Sequence, residues 1–147
     1  MNFKSISLFI LFSMFSFSCA QQKNEIKIDE KIKQTKQPLN SQVNDLKMSM
    51  IEYLESSNPS YTKDDVEECV SILNNYLEKI SKTKSKKEGI DVIKSTVIQL
   101  NNLNDKTKGQ LIETMEREMI VDIILTESNK KGYNKLDEDL TEEFREW

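Results

Sequence analysis

Twenty-one lysines and arginines against 25 aspartates and glutamates leave this 147-residue chain at a net charge of −4 at pH 7. That balance favours solubility and weighs against sequence-independent nucleic-acid binding, which rests on cations neutralising phosphates. Histidine is absent, which removes the commonest general base and metal ligand; the length suits one domain rather than two, and three glycines leave no glycine-rich phosphate loop.

The first element along the chain is a leader. Lys4 supplies a positive start, Ile6 to Phe17 form a twelve-residue apolar and hydroxylic run, and Ser18 is the small residue a processing enzyme needs before Cys19. Crossing about 30 Å of hydrocarbon takes roughly 20 apolar residues, so the run is too short and too rich in serine for a membrane-spanning helix. Secretion with a cut after Ala20 and no lipid is the other reading. The order Ser16-Phe17-Ser18-Cys19, with serine where the usual pattern has leucine three before the cysteine, resembles a bacterial lipoprotein signal. The resemblance covers residues 1 to about 23. It implies that 1–18 are a signal peptide and that Cys19 is lipidated, carries palmitate-like acyl chains and becomes the first residue of the mature protein. It also implies export across the inner membrane and anchoring in the cell envelope, at the outer membrane. One acyl chain holds a protein marginally and two hold it stably, at about 0.8 kcal/mol per buried methylene. After Lys23 the chain resembles small helical lipoproteins of Gram-negative bacteria in general, and no motif narrows that class.

Five of the six phenylalanines sit in the leader, so whole-chain hydrophobicity overstates how apolar the remainder is. With Cys19 consumed by lipid, Cys69 is left single. No intramolecular disulfide then forms despite an oxidising destination, and the domain stands on its core.

Residues 19–40 read as the lipidated cysteine and a tether, polar and lysine-rich, with Ile26, Ile28 and Ile32 too few to fold alone. A flexible segment of that length has a typical end-to-end distance of roughly 25 Å. Pro38 marks its end, because the residue before proline is pushed out of helical geometry. Residues 41–147 then read as a helical domain. Val43, Leu46, Met50, Ile51 and Leu54 predict a first helix over about 42–56, stopped by Asn58-Pro59. Thr62 with Asp65 predicts a capped start for a second helix, whose stripe Val66, Cys69, Val70, Leu73, Tyr76, Leu77 and Ile80 is the clearest in the chain.

Lys79 to Lys87 read as a basic linker, either solvated or touching anionic headgroups. Ser85 and Glu88 predict a second capping box ahead of a third helix with Ile90, Ile93, Val97, Leu100 and Leu103 inward; Gly89 lowers helix propensity at that start. Asn104-Asp105 should end it. Thr107 with Gln110 predicts a third cap and a fourth helix carrying Leu111, Ile112, Met115, Met119, Ile120, Ile123 and Ile124, closed by Lys130, Lys131 and a left-handed Gly132. Leu140, Phe144 and Trp147 fall on one face of a short fifth helix. The expected fold is all-α, a small antiparallel bundle of about four helices with that short fifth.

Catalytic constellations are hard to assemble from these residues. Glu118 and Asp122, and the group Asp64, Asp65, Glu67 and Glu68, read as solvated helix faces; a bundle di-metal centre needs Glu-x-x-His motifs, which the chain lacks. Glu127 to Glu138 imitates a calcium loop, but Lys131 occupies a ligand position and a helix cap explains Gly132. Cys69 lies on an apolar stripe, where cysteine behaves as a small hydrophobe. No catalytic residue, metal or cofactor is therefore expected.

The best candidate is the C-terminal segment, where Asp137, Glu138, Asp139, Glu142, Glu143 and Glu146 surround Leu140, Phe144 and Trp147. An apolar anchor in an acidic rim suits a basic protein partner, and the competing reading is that these side chains only close the core. The expected function is a lipid-anchored, non-enzymatic protein-binding domain. The alternative is a small envelope enzyme using carboxylates in a cleft. A pocket with two carboxylates of shifted titration would favour the enzyme, and a surface with exposed aromatics the binder.

Overall fold

A computed structural model describes residues 40–147. Cys19, the expected signal peptide and the expected tether up to Leu39 lie outside the described residues. Four helices account for most of the rest: α1 (Ser41–Ser57), α2 (Lys63–Lys82), α3 (Lys86–Lys106) and α4 (Thr114–Lys130), followed by a single 3-10 turn (Glu142–Phe144). Among the described residues the fold is all-α, as the periodicity predicts. Among the described residues no helix is long and apolar enough to cross a membrane.

The helix starts follow from local hydrogen-bond chemistry. Asn40 Oδ1 accepts the Gln42 N–H at 2.9 Å and opens α1. At α2, Thr62 Oγ1 accepts from Asp65 N, while Asp65 Oδ2 accepts the Thr62 N–H at 2.8 Å, so the capping box read from sequence is complete. A cap of this kind contributes about 1 kcal/mol. At α3 the box is half-formed: Ser85 accepts from Glu88 N, but the Glu88 carboxylate takes the N–H of Lys84, one residue upstream of the expected donor. The basic linker shrinks to Thr83, Lys84 and Ser85, because Lys79 and Lys82 complete the last turn of α2 and Lys86 and Lys87 open α3.

Two boundaries differ from the sequence reading. Thr107 does not start α4; it ends α3, its hydroxyl donating to the Leu103 and Asn104 carbonyls and its own N–H bonding back into the helix. Lys108 and Gly109 then take left-handed geometry and return their N–H groups to Asp105 and Asn104, the 5→2 and 6→1 bonds of a Schellman motif. Consequently α4 begins at Thr114. Leu111 and Ile112 are buried from the connection, and Asn104 Oδ1 accepts the Ile112 N–H at 2.9 Å. Met115, expected in the core, is 64% exposed. The far end of α4 matches expectation: Gly132 is left-handed, with Gly132 N–H on Asn129 and Tyr133 N–H on Ser128.

Short connections make consecutive helices antiparallel. Lys106 at the end of α3 reaches Asp65 (2.9 Å) and Glu68 (3.0 Å) at the start of α2. Ser60 before α2 bonds to Thr107 and Gln110 after α3. At the other end Lys131 donates to the Ser81 carbonyl. α2 packs against each of the other helices, and α4 lies chiefly on α1 and α2. The stripe of α2 is accordingly the centre of the core, with Val66, Cys69, Leu73, Tyr76 and Ile80 at 0–1% exposure. Burying a side chain of that size contributes roughly 1.5–3 kcal/mol. Two tyrosines carry their hydroxyls inside by donating to helix carbonyls, Tyr76 to Ile124 (2.7 Å) and Tyr61 to Met50 (2.8 Å), which removes the desolvation cost of an unpaired phenol.

Candidate functional site

After Gly132 the chain turns back and lays residues 138–147 against α3. The expected fifth helix is only the 3-10 turn. Asn101, buried on α3, donates Nδ2 to the Phe144 carbonyl at 2.8 Å, and its Oδ1 faces the Glu146 N–H at 3.4 Å. The Glu146 N–H is a group that a longer helix would pair with the Glu142 carbonyl, and the Phe144 carbonyl is one that a helix end leaves to a side chain. Upstream, Asp139 accepts the N–H (2.8 Å) and hydroxyl (2.6 Å) of fully buried Thr141 on Oδ1 and the Arg145 guanidinium (2.7 Å) on Oδ2. The segment is thus pinned at both ends by side chains.

Between it and α3 lies a half-open groove of about 450 Å³. Ile90, Leu140 and Phe144 form its apolar lining, and Glu138, Asp139, Glu142 and Glu143 bring carboxylates to it. Four of the five residues singled out in sequence, Leu140, Phe144, Glu142 and Glu143, come together here. Trp147 does not line the groove. It packs half-buried on the core, with the Arg145 guanidinium 5.5 Å from its ring. Leu140 and Phe144 also pack on the core, so the same side chains close the bundle and line the groove. Sequence reasoning placed Glu138 and Asp139 in the acidic rim of this segment, and both line the groove. It assigned Ile90 wholly to the core, and only the fold places it opposite a segment 50 residues later.

The four carboxylates are not equivalent. Asp139 is held below the usual range: partial burial pushes its carboxyl up, but the two Thr141 donors and Arg145 outweigh it. Glu138 is also lowered, first by the Lys135 N–H (3.1 Å) and then by Lys86 (3.3 Å). Glu142 and Glu143 are exposed and make no ion pair among the described residues. Lys94 covers the Phe144 ring at 5.4 Å. The groove therefore contains two carboxylates of shifted titration, the feature proposed above as a mark of an enzyme. Both shifts are downward and both come from fixed structural donors. A general acid needs its pKa raised toward working pH, and here the donors stabilise the ionised form.

The remaining candidates fall apart spatially or chemically. Cys69 is fully buried, and burial, aided by Glu116, pushes its thiol up to about 12, so the nucleophilic thiolate is disfavoured. Asp122 accepts from Gln42 of α1, and Asp65 is committed to the α2 cap and Lys106. In the calcium-like segment Glu127 pairs with Lys130, Asn129 donates to the Asn134 carbonyl, and Glu138 belongs to the groove. Among the described residues no three Asp, Glu or Cys side chains are grouped to hold a metal ion. No protein-family model, curated protein or solved structure matches the chain.

Proposed function

We propose that the protein is a lipid-anchored component of the bacterial cell envelope, exported across the inner membrane and held by Cys19 at the outer membrane, whose helical domain binds a protein partner through the C-terminal groove. The observation that carries the binding reading is the groove's chemistry: an apolar floor of Ile90, Leu140 and Phe144 beside two exposed carboxylates, Glu142 and Glu143, without ion pairs among the described residues. A segment with an apolar anchor flanked by lysines or arginines complements it. Exposed ion pairs contribute only about 0.2–1 kcal/mol each, so the anchor would supply most of the affinity and the carboxylates the association rate and its salt dependence.

The test combines address and binding. Wild-type chain and Cys19→Ala are expressed in a Gram-negative host and fractionated, and partners are captured from detergent-solubilised membranes. Wild type should follow the detergent phase and Cys19→Ala the soluble phase. The captured partner should bind the Glu142→Lys/Glu143→Lys double variant at least about tenfold more weakly, with most of the loss in association rate. A Cys19→Ala chain that still partitions with detergent overturns the anchor. Unchanged binding by the double variant overturns the groove.

A further inference from the structure

A second concave site lies at the opposite end of the bundle, where the α1–α2 and α3–α4 connections meet. It is a pocket of about 170 Å³ between α1 and the start of α4. Tyr53 and Tyr61 line it together with Met115, Glu113 and Glu116. We propose that this pocket binds a small alkylammonium cation, with the exposed Tyr53 ring and the Met115 thioether against its methyl or methylene groups and the two glutamates facing its charge.

Three observations converge on that chemistry. The first is aromatic surface. Tyr61 is only 4% exposed, with its hydroxyl committed to the Met50 carbonyl, so its ring forms part of the pocket's buried wall. Tyr53 is 40% exposed and adds a second ring from α1. Ring faces attract cations, by about 0.5–2 kcal/mol depending on desolvation, and cages of them select quaternary and methylated amines.

The second is charge. Neither Glu113 nor Glu116 makes a salt bridge or side-chain hydrogen bond among the described residues, and no lysine or arginine lines the pocket. Two full negative charges exceed the roughly half positive charge of the α4 N-terminus. Their field reaches the pocket wall: the Tyr61 phenol is pushed up to about 12, first by burial, then by Glu116, Tyr53 and Glu113. An anion is therefore repelled. Two carboxylates also fall short of the six to eight oxygens that calcium takes.

The third is that local folding rules are relaxed here. Glu113 stands at the N-cap of α4 without capping it, where Ser, Thr, Asp or Asn would stabilise the helix by about 1 kcal/mol. Met115, two residues on in the first turn, is left 64% exposed. Positions that sacrifice stability in this way are where function is expected. The volume sets the size of the ligand, because sites for drug-sized molecules run to roughly 300–1,000 Å³.

The full-length chain is titrated with choline chloride, with its uncharged carbon isostere 3,3-dimethylbutan-1-ol, and with sodium chloride at matched ionic strength, following the Tyr53 and Tyr61 ring protons by NMR. Choline should give saturable shifts, and the alcohol should bind at least about tenfold more weakly. Tyr53→Ala and Glu116→Gln should each weaken choline binding about fivefold or more. Tyr53 is exposed and Glu116 half-buried without a hydrogen-bond partner among the described residues, so unfolding temperature serves as the folding control, and Glu143→Gln in the distant groove should leave binding unchanged. Phosphatidylcholine vesicles distinguish the source of the cation. Co-sedimentation of the Cys19→Ala chain that free choline displaces assigns a lipid headgroup, and choline binding without co-sedimentation assigns a free amine. Absence of saturation, equal affinity for the uncharged isostere, or indifference to both pocket substitutions overturns the proposal.

Discussion

Gly89 looks from sequence like a weakness in the first turn of α3, since glycine costs about 1 kcal/mol against alanine in a helix. In the fold it is buried, and a Cβ there would lie 2.6 Å from Tyr133 Cε2 and closer still to Cδ2. Tyr133 cannot easily retreat. The Thr83 hydroxyl donates to the Ile80 carbonyl at 2.7 Å, so in the 3.0 Å contact between the two hydroxyls Tyr133 is the donor. The tyrosine is thereby fixed across the α2–α3 turn. Gly89→Ala should accordingly destabilise the protein by about 1–3 kcal/mol despite the gain in propensity. Chemical denaturation of Gly89→Ala, Tyr133→Ala and the double variant should reveal a coupling of at least about 1 kcal/mol, whereas additive effects would show that the ring is not what excludes the methyl.

At the scale of elements, the closing segment 138–147 behaves as a strap fastened by Asn101 and Asp139 rather than as a helix with its own stability. Deleting 140–147 uncovers the half-buried Leu140, Phe144 and Trp147 and should cost about 3 kcal/mol, lowering the melting temperature by more than about 10 °C. Glu142→Gln or Glu143→Gln on the exposed rim should shift stability by less than about 0.5 kcal/mol. An unchanged melting temperature after deletion would mean that the segment contributes nothing to the core. The same scale shows what was legible. Thr62-x-x-Asp65 was, because both bonds of a capping box form within four residues. Thr107-x-x-Gln110 misled, because a hydroxyl that can cap a helix start can also donate to the last carbonyls of the preceding helix, and Gln110 instead accepts the Ser60 N–H across the bundle at 2.7 Å. That displacement of α4 is why the period counted from Leu111 put Met115 inside. The groove was legible as a composition, acids around Leu140 and Phe144, but not as a site: its other wall is Ile90, and spacing within one segment says nothing about which helix it meets. The pocket at the other end draws on both α1 and α4, so no sequence window contains it.

For the whole molecule, the absence of histidine means that no side chain has an ordinary pKa between pH 5 and 8. Asp65 and Asp139 are lowered, each with burial opposed by stronger hydrogen bonds and an ion pair. Their folded values lie below the unfolded ones, so the stability they add is present above about pH 4 and is lost as pH falls through the lowered values. Cys69 and Tyr61 are raised to about 12, and Tyr76 is raised too, chiefly by burial. Their stabilisation is complete below the unfolded values and lost as pH rises, beginning near pH 9 with the thiol. Urea unfolding should therefore give a flat stability between about pH 5 and 8 with a decline on either side, and Cys69→Ala should delay the alkaline decline by about one pH unit, to where tyrosine ionises. A slope between pH 6 and 7 would contradict this.

Trp147 is the chain's one tryptophan, and it sits in the strap, beside Arg145 and packed half-buried against the core. The molecule thus carries an optical label on its own latch. Emission wavelength and quenching report whether the strap is seated, while circular dichroism reports the four helices. Recording both along one denaturation curve separates local opening of the groove from loss of the bundle without any added probe.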